Sequence, residues 1–233
     1  MARPITTTGS RDSALSAHMS QVFNYMAGGV GVSGLVAYLV TSNEALMALA
    51  VQSRFIMLIA ILGVAFFLQS IIFRLQPAAG LAVFAGFSAL MGFTLAPLAL
   101  IYTGSSIATA FFTATAMFAG TAAYGYFTKK SLSSWGTFLI MGVWGLVGAS
   151  LIGLVLSLFG INMGPMAMVL NIIAIPLFAG LTAWEVNSIR ENFAAYGRDE
   201  LTRSRLAILQ ATSLYINFIN MFTALLHLLG DRR

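Results

Sequence analysis

The sequence predicts an all-α membrane protein with seven transmembrane helices, and two observations carry that prediction. Hydrophobic residues make up 59% of the 233 positions and charged residues 8%, whereas a soluble domain has about 25% charged residues. Seven stretches are also apolar over about 20 residues, the length that a helix needs to cross the hydrocarbon core of a bilayer. They are residues 21–42, 55–74, 78–101, 105–127, 134–159, 165–187 and 206–229.

The connecting segments indicate how the chain is divided. Most are short, so helices that follow one another in sequence should be antiparallel neighbours, and none is long enough for a separate soluble domain. We expect a polar cytoplasmic tail at 1–20, a single seven-helix domain at 21–230 and a short charged tail at 231–233. The first residues lack the apolar run of a cleaved signal peptide, so the first span should act as an uncleaved insertion signal.

Composition excludes several functional classes. A chain without cysteine has no disulfide, thiolate metal site or cysteine nucleophile. Its two histidines, His18 and His227, lack a second ligand at helical spacing, and its only lysines, Lys129 and Lys130, lie in a loop, which excludes a retinal Schiff base. No serine elbow or phosphate-binding loop is present. We therefore expect no enzyme, no cofactor and no nucleic-acid partner.

Basic residues are unevenly divided between the loops on alternate sides of the seven spans. The side of the N-terminus holds Arg3, Arg11, Arg74, Lys129, Lys130, Arg190, Arg198, Arg203 and Arg205, and the opposite side holds Arg54, Arg232 and Arg233. Positive loops stay in the cytoplasm. This predicts a multi-pass protein of the cell (inner) membrane with a cytoplasmic N-terminus and a C-terminus outside. The charged end, Asp231-Arg232-Arg233, instead favours a cytoplasmic C-terminus. The C-terminus would lie in the cytoplasm if the last segment crossed the membrane only partly.

The last hydrophobic stretch carries a polar stripe. At about 100° per residue, one arc of that helix collects Gln210, Ser213, Asn217, Asn220 and His227. Polar groups turned to hydrocarbon without partners cost several kcal/mol. The stripe should therefore face other helices or a water-filled path, which predicts that this helix is the central post of a bundle.

Small residues recur along three spans at the spacing of a helix face, which predicts close contacts between helices. They are Gly28, Gly29, Gly31 and Gly34 in the first span, Ala116 and Gly120 in the fourth, and Gly145, Ala149 and Gly153 in the fifth.

Ionisable and polar groups at membrane depth are the first functional candidates, because burying them is costly. Glu185 lies near the end of the sixth span, and Arg74 ends the second span on the same side. Each candidate also has a purely structural reading. Glu185 can be an interfacial residue entering water and Arg74 a positive-inside anchor, while Asn217 and Asn220 can bond between helices.

Three stretches of the chain carry a family resemblance. They are Met91-Gly-Phe-Thr-Leu-Ala-Pro-Leu98 running on to Ile101-Tyr-Thr-Gly-Ser-Ser-Ile107, Ala123-Tyr-Gly-Tyr-Phe-Thr-Lys-Lys-Ser-Leu-Ser133, and Ser213-Leu-Tyr-Ile-Asn-Phe-Ile-Asn-Met-Phe222 followed by Leu225-Leu-His-Leu-Leu-Gly230. Together they resemble the transmembrane Bax inhibitor motif family, in its bacterial branch, over nearly the whole chain from the first span onward.

The resemblance implies a fold in which two three-helix layers surround a central C-terminal helix. It also implies a pH-sensitive calcium leak, gated by a carboxylate near the end of the sixth span and another in the seventh that share one proton. By this resemblance Glu185, in Thr182-Ala-Trp-Glu185, is the first carboxylate, and Arg74 is the latch on the pair.

The chain departs from the family pattern in the seventh span. Asn217 stands where family members usually have aspartate, and an amide cannot ionise. We expect Glu185 beside Arg74 to stay ionised, proton gating to be weakened or lost, and a calcium ion near Glu185 to be held less well. The expected gate and ion pathway comprise Glu185, Asn217, Arg74, Asn220 and Gln210.

Two functions remain open on this reading. The first is a slow leak of calcium or other cations through the membrane. The alternative is a non-conducting regulator that acts through a membrane protein partner in stress response or membrane proteolysis, which the missing carboxylate favours. Contact of the basic sixth loop with lipid is a third possibility, although Glu191, Asp199 and Glu200 dilute its charge.

Overall fold

The computed structural model describes the backbone of residues 6–196 and 199–233, with side chains from Asp12 onward apart from Gln69 and Tyr196. Arg3 and Arg198, both counted above for orientation, lie outside these ranges, as does the side chain of Arg11. Within them the chain is almost entirely helical. The helices are α1 (Thr6–Thr41), α2 (Glu44–Gln52), α3 (Arg54–Arg74), α4 (Pro77–Leu95), α5 (Leu98–Ile101), α6 (Gly104–Phe127), α7 (Ser133–Leu158), α8 (Gly164–Asn192) and α9 (Glu200–Leu229).

The helices confirm an all-α membrane protein. In the described part of the chain, six helical segments are long and apolar enough to cross a membrane, and α4 with α5 forms one of them. A seventh span results if α2 and α3, which meet at a 73° bend, count as one. The predicted second span, 55–74, corresponds to α3. The first predicted span lies inside α1, which begins at Thr6 and so includes much of the predicted polar tail as helix.

Local sequence signals explain where several helices begin and end. The side chains of Asn43 and Thr103 accept hydrogen bonds from the first turns of α2 and α6, as N-cap residues do. Pro77 begins α4, where a missing N–H costs nothing. Gly160 follows α7 with a φ of 78°, a left-handed conformation that stops the helix and suits glycine.

Asp199 caps α9. Its carboxylate accepts hydrogen bonds from the hydroxyl and the backbone N–H of Thr202. Chiefly because the Thr202 hydroxyl donates to the charged form, the pKa of this carboxyl is held below its usual value.

The Cα packing divides the chain into two compact units. One consists of Met1–Ala99 and Asn192–Tyr215, and the other of Leu100–Glu191 and Ile216–Arg233. Each unit takes two separate stretches of sequence, so the division follows no boundary in the chain. The helix α9 contributes its first half to one unit and its second half to the other. It is also the most buried of the described spans, with 56% of its apolar window buried against at most 33% for the others.

In the first unit, α1 packs closely on α4. A Cβ added at Gly92 would lie 2.3 Å from the carbonyl oxygen of Ser33, so only glycine allows this approach. Tyr215 is fully buried and meets the rings of Phe84 and Phe87 edge-on. These large apolar side chains form the centre of the unit.

In the second unit, α6, α7, α8 and the end of α9 pack through glycines and aromatic rings. A Cβ at Gly125 would lie 2.2 Å from the carbonyl oxygen of Ala183, and one at Gly136 would lie 2.5 Å from the indole of Trp184. The ring of Phe218 packs edge-on against those of Phe111 and Phe118. The helix α8, which carries Glu185, is therefore in close contact with both α6 and α7.

The prediction that small-residue stripes mark helix contacts is largely wrong for the described chain. A Cβ added at Gly28, Gly31, Gly34, Gly120 or Gly145 would meet nothing within 4 Å, and only Gly29 of the predicted stripe in α1 is at a close contact. Spacing alone cannot tell which face of an apolar helix meets protein and which meets lipid, because both faces are apolar.

Candidate functional site

Glu185 and Asn217 lie side by side in the second unit. The amide Nδ2 of Asn217 donates a hydrogen bond to Oε2 of Glu185 over 2.9 Å. Asn217 is only 4% exposed, whereas Glu185 is half-buried. Phe218, held between the rings of Phe111 and Phe118, fixes the part of α9 that presents the amide. The structure thus brings together two predicted site residues that are far apart in the sequence.

This pair has a definite chemistry. An amide donates a hydrogen bond but shares no proton with a carboxylate, so part of the Glu185 charge is compensated without protonation. The two side chains offer at most about three oxygen atoms, whereas calcium takes about six to eight. The pair alone therefore lacks the ligands for tight binding of a dehydrated calcium ion.

The other predicted gate residues lie elsewhere. Arg74 is the last residue of α3 in the first unit, and its side chain is exposed. Gln210, also in the first unit, pairs with His18 through Oε1 and Nε2 over 2.8 Å. Asn220 donates to the carbonyl of Ile216 in its own helix. Of the five residues assigned to the gate, the structure joins Glu185 to Asn217 by a hydrogen bond, whereas the role of Arg74 as a latch stays a prediction.

Sequence reasoning missed a clamp at the end of α8 in the second unit. Asn187, 1% exposed, accepts from the N–H of Leu132 and donates to the carbonyls of Gly125 and Lys130. Arg190 donates to the carbonyls of Tyr126 and Thr128, both over 2.6 Å.

Two of these carbonyls, those of Gly125 and Tyr126, lie in the last turn of α6 and have no partner within the helix, whereas Thr128 and Lys130 follow it. A sequence signal did exist, because Ala183, Asn187 and Arg190 follow one another at the spacing of one helix face.

The first unit holds buried polar contacts that no local pattern predicted. His18 was read as a lone histidine, yet besides its bond to Gln210 its ring lies 5.3 Å from that of Phe193. Arg205 was read as a loop charge, yet its Nε donates to the carbonyl of Leu75 over 2.8 Å. That carbonyl closes α3, where a cation is favourable.

The first unit also contains a buried network of hydroxyl groups. The hydroxyl groups of Tyr215 and Ser33 are 2.6 Å apart, and Ser33 also donates to the carbonyls of Gly29 and Ser88. All these groups find partners among themselves, which removes the cost of burying them in an apolar bundle. We read the network as structural.

The C-terminal tail is held in the second unit. Arg232 forms an antiparallel bridge with Tyr102, and the N–H of Arg233 donates to the carbonyl of Ile101 over 2.9 Å. The N–H of Asp231 donates to Ser106. The tail is therefore fixed to the segment that precedes α6, and α9 before it is continuous over 30 residues. A helix of that length spans about 45 Å, more than a full crossing needs.

Comparison with known proteins adds a family to this geometry. The model of a family described as inhibitor of apoptosis-promoting Bax1 matches residues 15–233. An uncharacterized protein of Rickettsia prowazekii is 35% identical over 236 residues, which cover 99% of this chain and 98% of that protein. The inner membrane protein YbhL of Escherichia coli is 32% identical over 223 residues, which cover 94% of this chain and 93% of that protein.

Proposed function

The chain belongs to the Bax inhibitor-like family of membrane proteins, and from that membership we propose that it is a multi-pass inner-membrane protein that lets calcium and other cations leak slowly across the bilayer. The hydrogen bond between Asn217 and Glu185 is the observation that carries the proposal. It puts a half-buried negative group inside an apolar bundle, and such groups mark ion pathways more often than they serve stability.

Glu185 attracts the cation, and Asn217 sets how the gate responds to protons. Where two carboxylates share a proton, a change of pH adds or removes that proton. Here the amide holds the carboxylate by a bond that needs no proton. The leak should therefore depend weakly on pH near neutrality. Arg74 is the latch in this scheme, with Gln210 and Asn220 along the pathway.

The same proposal includes the arrangement of the spans. The bent pair of α2 and α3 counts as one, which gives seven spans in two three-helix layers around α9. The high burial of α9 supports its central place. The excess of basic residues in alternate loops supports a cytoplasmic N-terminus, and seven crossings put the C-terminus on the other side. The name of YbhL supports the inner membrane. No catalytic residue or cofactor enters the proposal.

One observation favours the alternative, a non-conducting regulator that acts through another membrane protein. The helix faces that carry Gly28, Gly31, Gly120 and Gly145 are open within the described chain. Small residues on such faces let a second helix approach closely. A regulator in stress response or membrane proteolysis would use them to contact its partner.

Calcium entry into liposomes that contain the purified protein, measured between pH 6 and 8, tests the leak. The parent should conduct with little change across this range. Glu185→Gln removes the charge and should lower the rate on the order of tenfold. Asn217→Asp creates two facing carboxylates and should give the leak a new dependence on pH.

Asn220→Asp is the matched control for the new carboxylate. It lies three residues further along α9, and the native amide bonds only its own helix in the described contacts. It should therefore not reproduce the pH response of Asn217→Asp. If neither the parent nor any variant conducts above empty liposomes, the leak is ruled out and the regulator reading takes its place.

A further inference from the structure

The segment between α6 and α7 presents two lysines that the proposed leak does not use. Lys129 and Lys130 are both exposed. Neither ammonium group has a hydrogen-bond or ion-pair partner among the described residues. The segment lies in the second unit, at the end of α6 that is clamped by α8.

The backbone beneath these lysines is rigidly held. Asn187 binds the peptide groups of Gly125, Lys130 and Leu132, and Ser131 donates to the carboxylate of Glu191 over 2.9 Å. Arg190 uses its guanidinium on the carbonyls of Tyr126 and Thr128. The two ammonium groups are therefore mounted on an ordered base, and little backbone entropy is lost when they bind a ligand.

Exposed aromatic side chains flank the lysines on both sides in sequence. Phe127 is 75% exposed and Trp135 is 61% exposed. Gly136 packs against Trp184, so α7 is held to α8 directly after Trp135. Exposed tryptophan rings collect at the level of the lipid headgroups, and the apolar ring of Phe127 extends the same surface. Their position indicates that the lysines beside them lie at the depth of the phosphates.

We propose that Lys129 and Lys130 bind the phosphate of an anionic phospholipid at this end of the second unit, with Trp135 and Phe127 against its glycerol and upper acyl region. Charge complementarity selects the lipid, because two free ammonium groups face a layer rich in negative phosphates. Among the described residues, Glu191 is the carboxylate bonded to the segment, through Ser131. Two lysines against one carboxylate leave a net positive charge there. The site is independent of ion conduction.

The expected selectivity follows from the charges. Each lysine near an anionic surface contributes about fivefold to binding, and two contribute about thirtyfold. A zwitterionic lipid of the same chain length gains much less, because its headgroup carries no net charge.

Native mass spectrometry of the purified protein in detergent, with phosphatidylglycerol and phosphatidylcholine added at equal concentration, tests the site. The parent should retain phosphatidylglycerol in preference to phosphatidylcholine. In Lys129→Gln/Lys130→Gln that preference should fall by up to about thirtyfold. Both side chains are exposed, so the variant should keep the thermal stability of the parent.

Two further variants separate a site from a general effect of charge. Arg232→Gln/Arg233→Gln removes the same charge from the exposed C-terminal tail and should leave the preference unchanged. Lys129→Arg/Lys130→Arg keeps the charge and should retain it. The proposal is overturned if the parent shows no preference, or if removing the arginines weakens it as much as removing the lysines.

Discussion

An amide at position 217 changes what Glu185 requires from its surroundings. A carboxylate that faces another carboxylate inside a bundle needs a proton or a cation between them, whereas one that faces an amide N–H gains a charge-assisted hydrogen bond. Asparagine and aspartate have nearly the same size, so the difference at position 217 lies in the charge and the N–H donor. The contact between the two side chains therefore needs neither a shared proton nor a metal ion.

At the N-terminal end of the same helix, Asp199 makes a contribution to stability that depends on pH. Its pKa is lowered in the folded protein from the ordinary value of 3.8, mainly by the Thr202 hydroxyl. A lowered folded pKa means that stabilisation is complete above the ordinary value and is lost as the pH falls through the folded value. Asp199→Ala should thus lower the melting temperature at pH 7, and the difference from the parent should shrink below about pH 4.

Asp199→Asn separates capping from charge. Asparagine keeps a side-chain acceptor for the N–H of Thr202 but lacks the charge, so the stability of the variant at pH 7 should lie between those of the parent and Asp199→Ala. Because it does not titrate, its stability should lack the acid-sensitive component. Thermal unfolding in detergent at pH 7 and pH 3.5 measures both effects, and an Asp199→Ala difference that persists unchanged in acid would contradict this account.

Among the elements, α6 is held to α8 by a close backbone approach as well as by the side chains of the clamp. The approach at Gly125 leaves no room for a methyl group, since the opposing atom is a carbonyl oxygen of Ala183 that cannot rotate away. The clamp by Asn187 and Arg190 begins directly beside this point. Close approach and polar clamp together fix the helix that carries Glu185.

Replacing Gly125 tests this contact. Gly125→Ala should destabilise the protein by about 1–3 kcal/mol, because α6 and α8 must separate to admit the methyl group. Gly120→Ala, on the same helix, meets nothing within 4 Å, and it should be neutral or stabilising by up to about 1 kcal/mol. Melting temperatures of the two variants in detergent compare them, and equal losses would show that the contact does not limit packing.

The elements also show how far sequence reasoning reaches. Most helix ends after the first span lie within a few residues of the predicted ones, because the apolar runs end at prolines, caps and charges that act locally. The start of α1 and the whole of α2 were not predicted. His18, Asn187, Arg190 and Arg205 were missed because each binds a group far away in the sequence, several of them backbone carbonyls that no residue pattern marks. The meeting of Glu185 with Asn217 followed from the resemblance and not from either residue by itself.

On the scale of the whole molecule, the position of the tail constrains the topology. Residues 231–233 are bonded to the segment 101–106, which includes the start of α6, while the opposite end of α6 is clamped by α8. Contacts within the second unit thus define its two ends. The C-terminal tail lies at the end opposite Lys129 and Lys130.

Labelling of single cysteines checks this arrangement, and the parent chain has no cysteine to interfere. In spheroplasts, a membrane-impermeant maleimide should label Ser105→Cys and Arg233→Cys. Ser134→Cys, beyond the other end of α6, should react only after the membrane is permeabilised. Labelling of Arg233→Cys together with Ser134→Cys would refute the placement of the tail, and reversed labelling of all three would refute the cytoplasmic N-terminus alone.

The continuity of α9 has a mechanical consequence. Asn217, which bonds Glu185, lies in the middle of a helix that is unbroken from Glu200 to Leu229. A turn of α9 by about 30° moves its side-chain tips by about 3 Å, enough to break a hydrogen bond. A rotation of that size about the axis of α9 would therefore separate the Asn217 amide from Glu185.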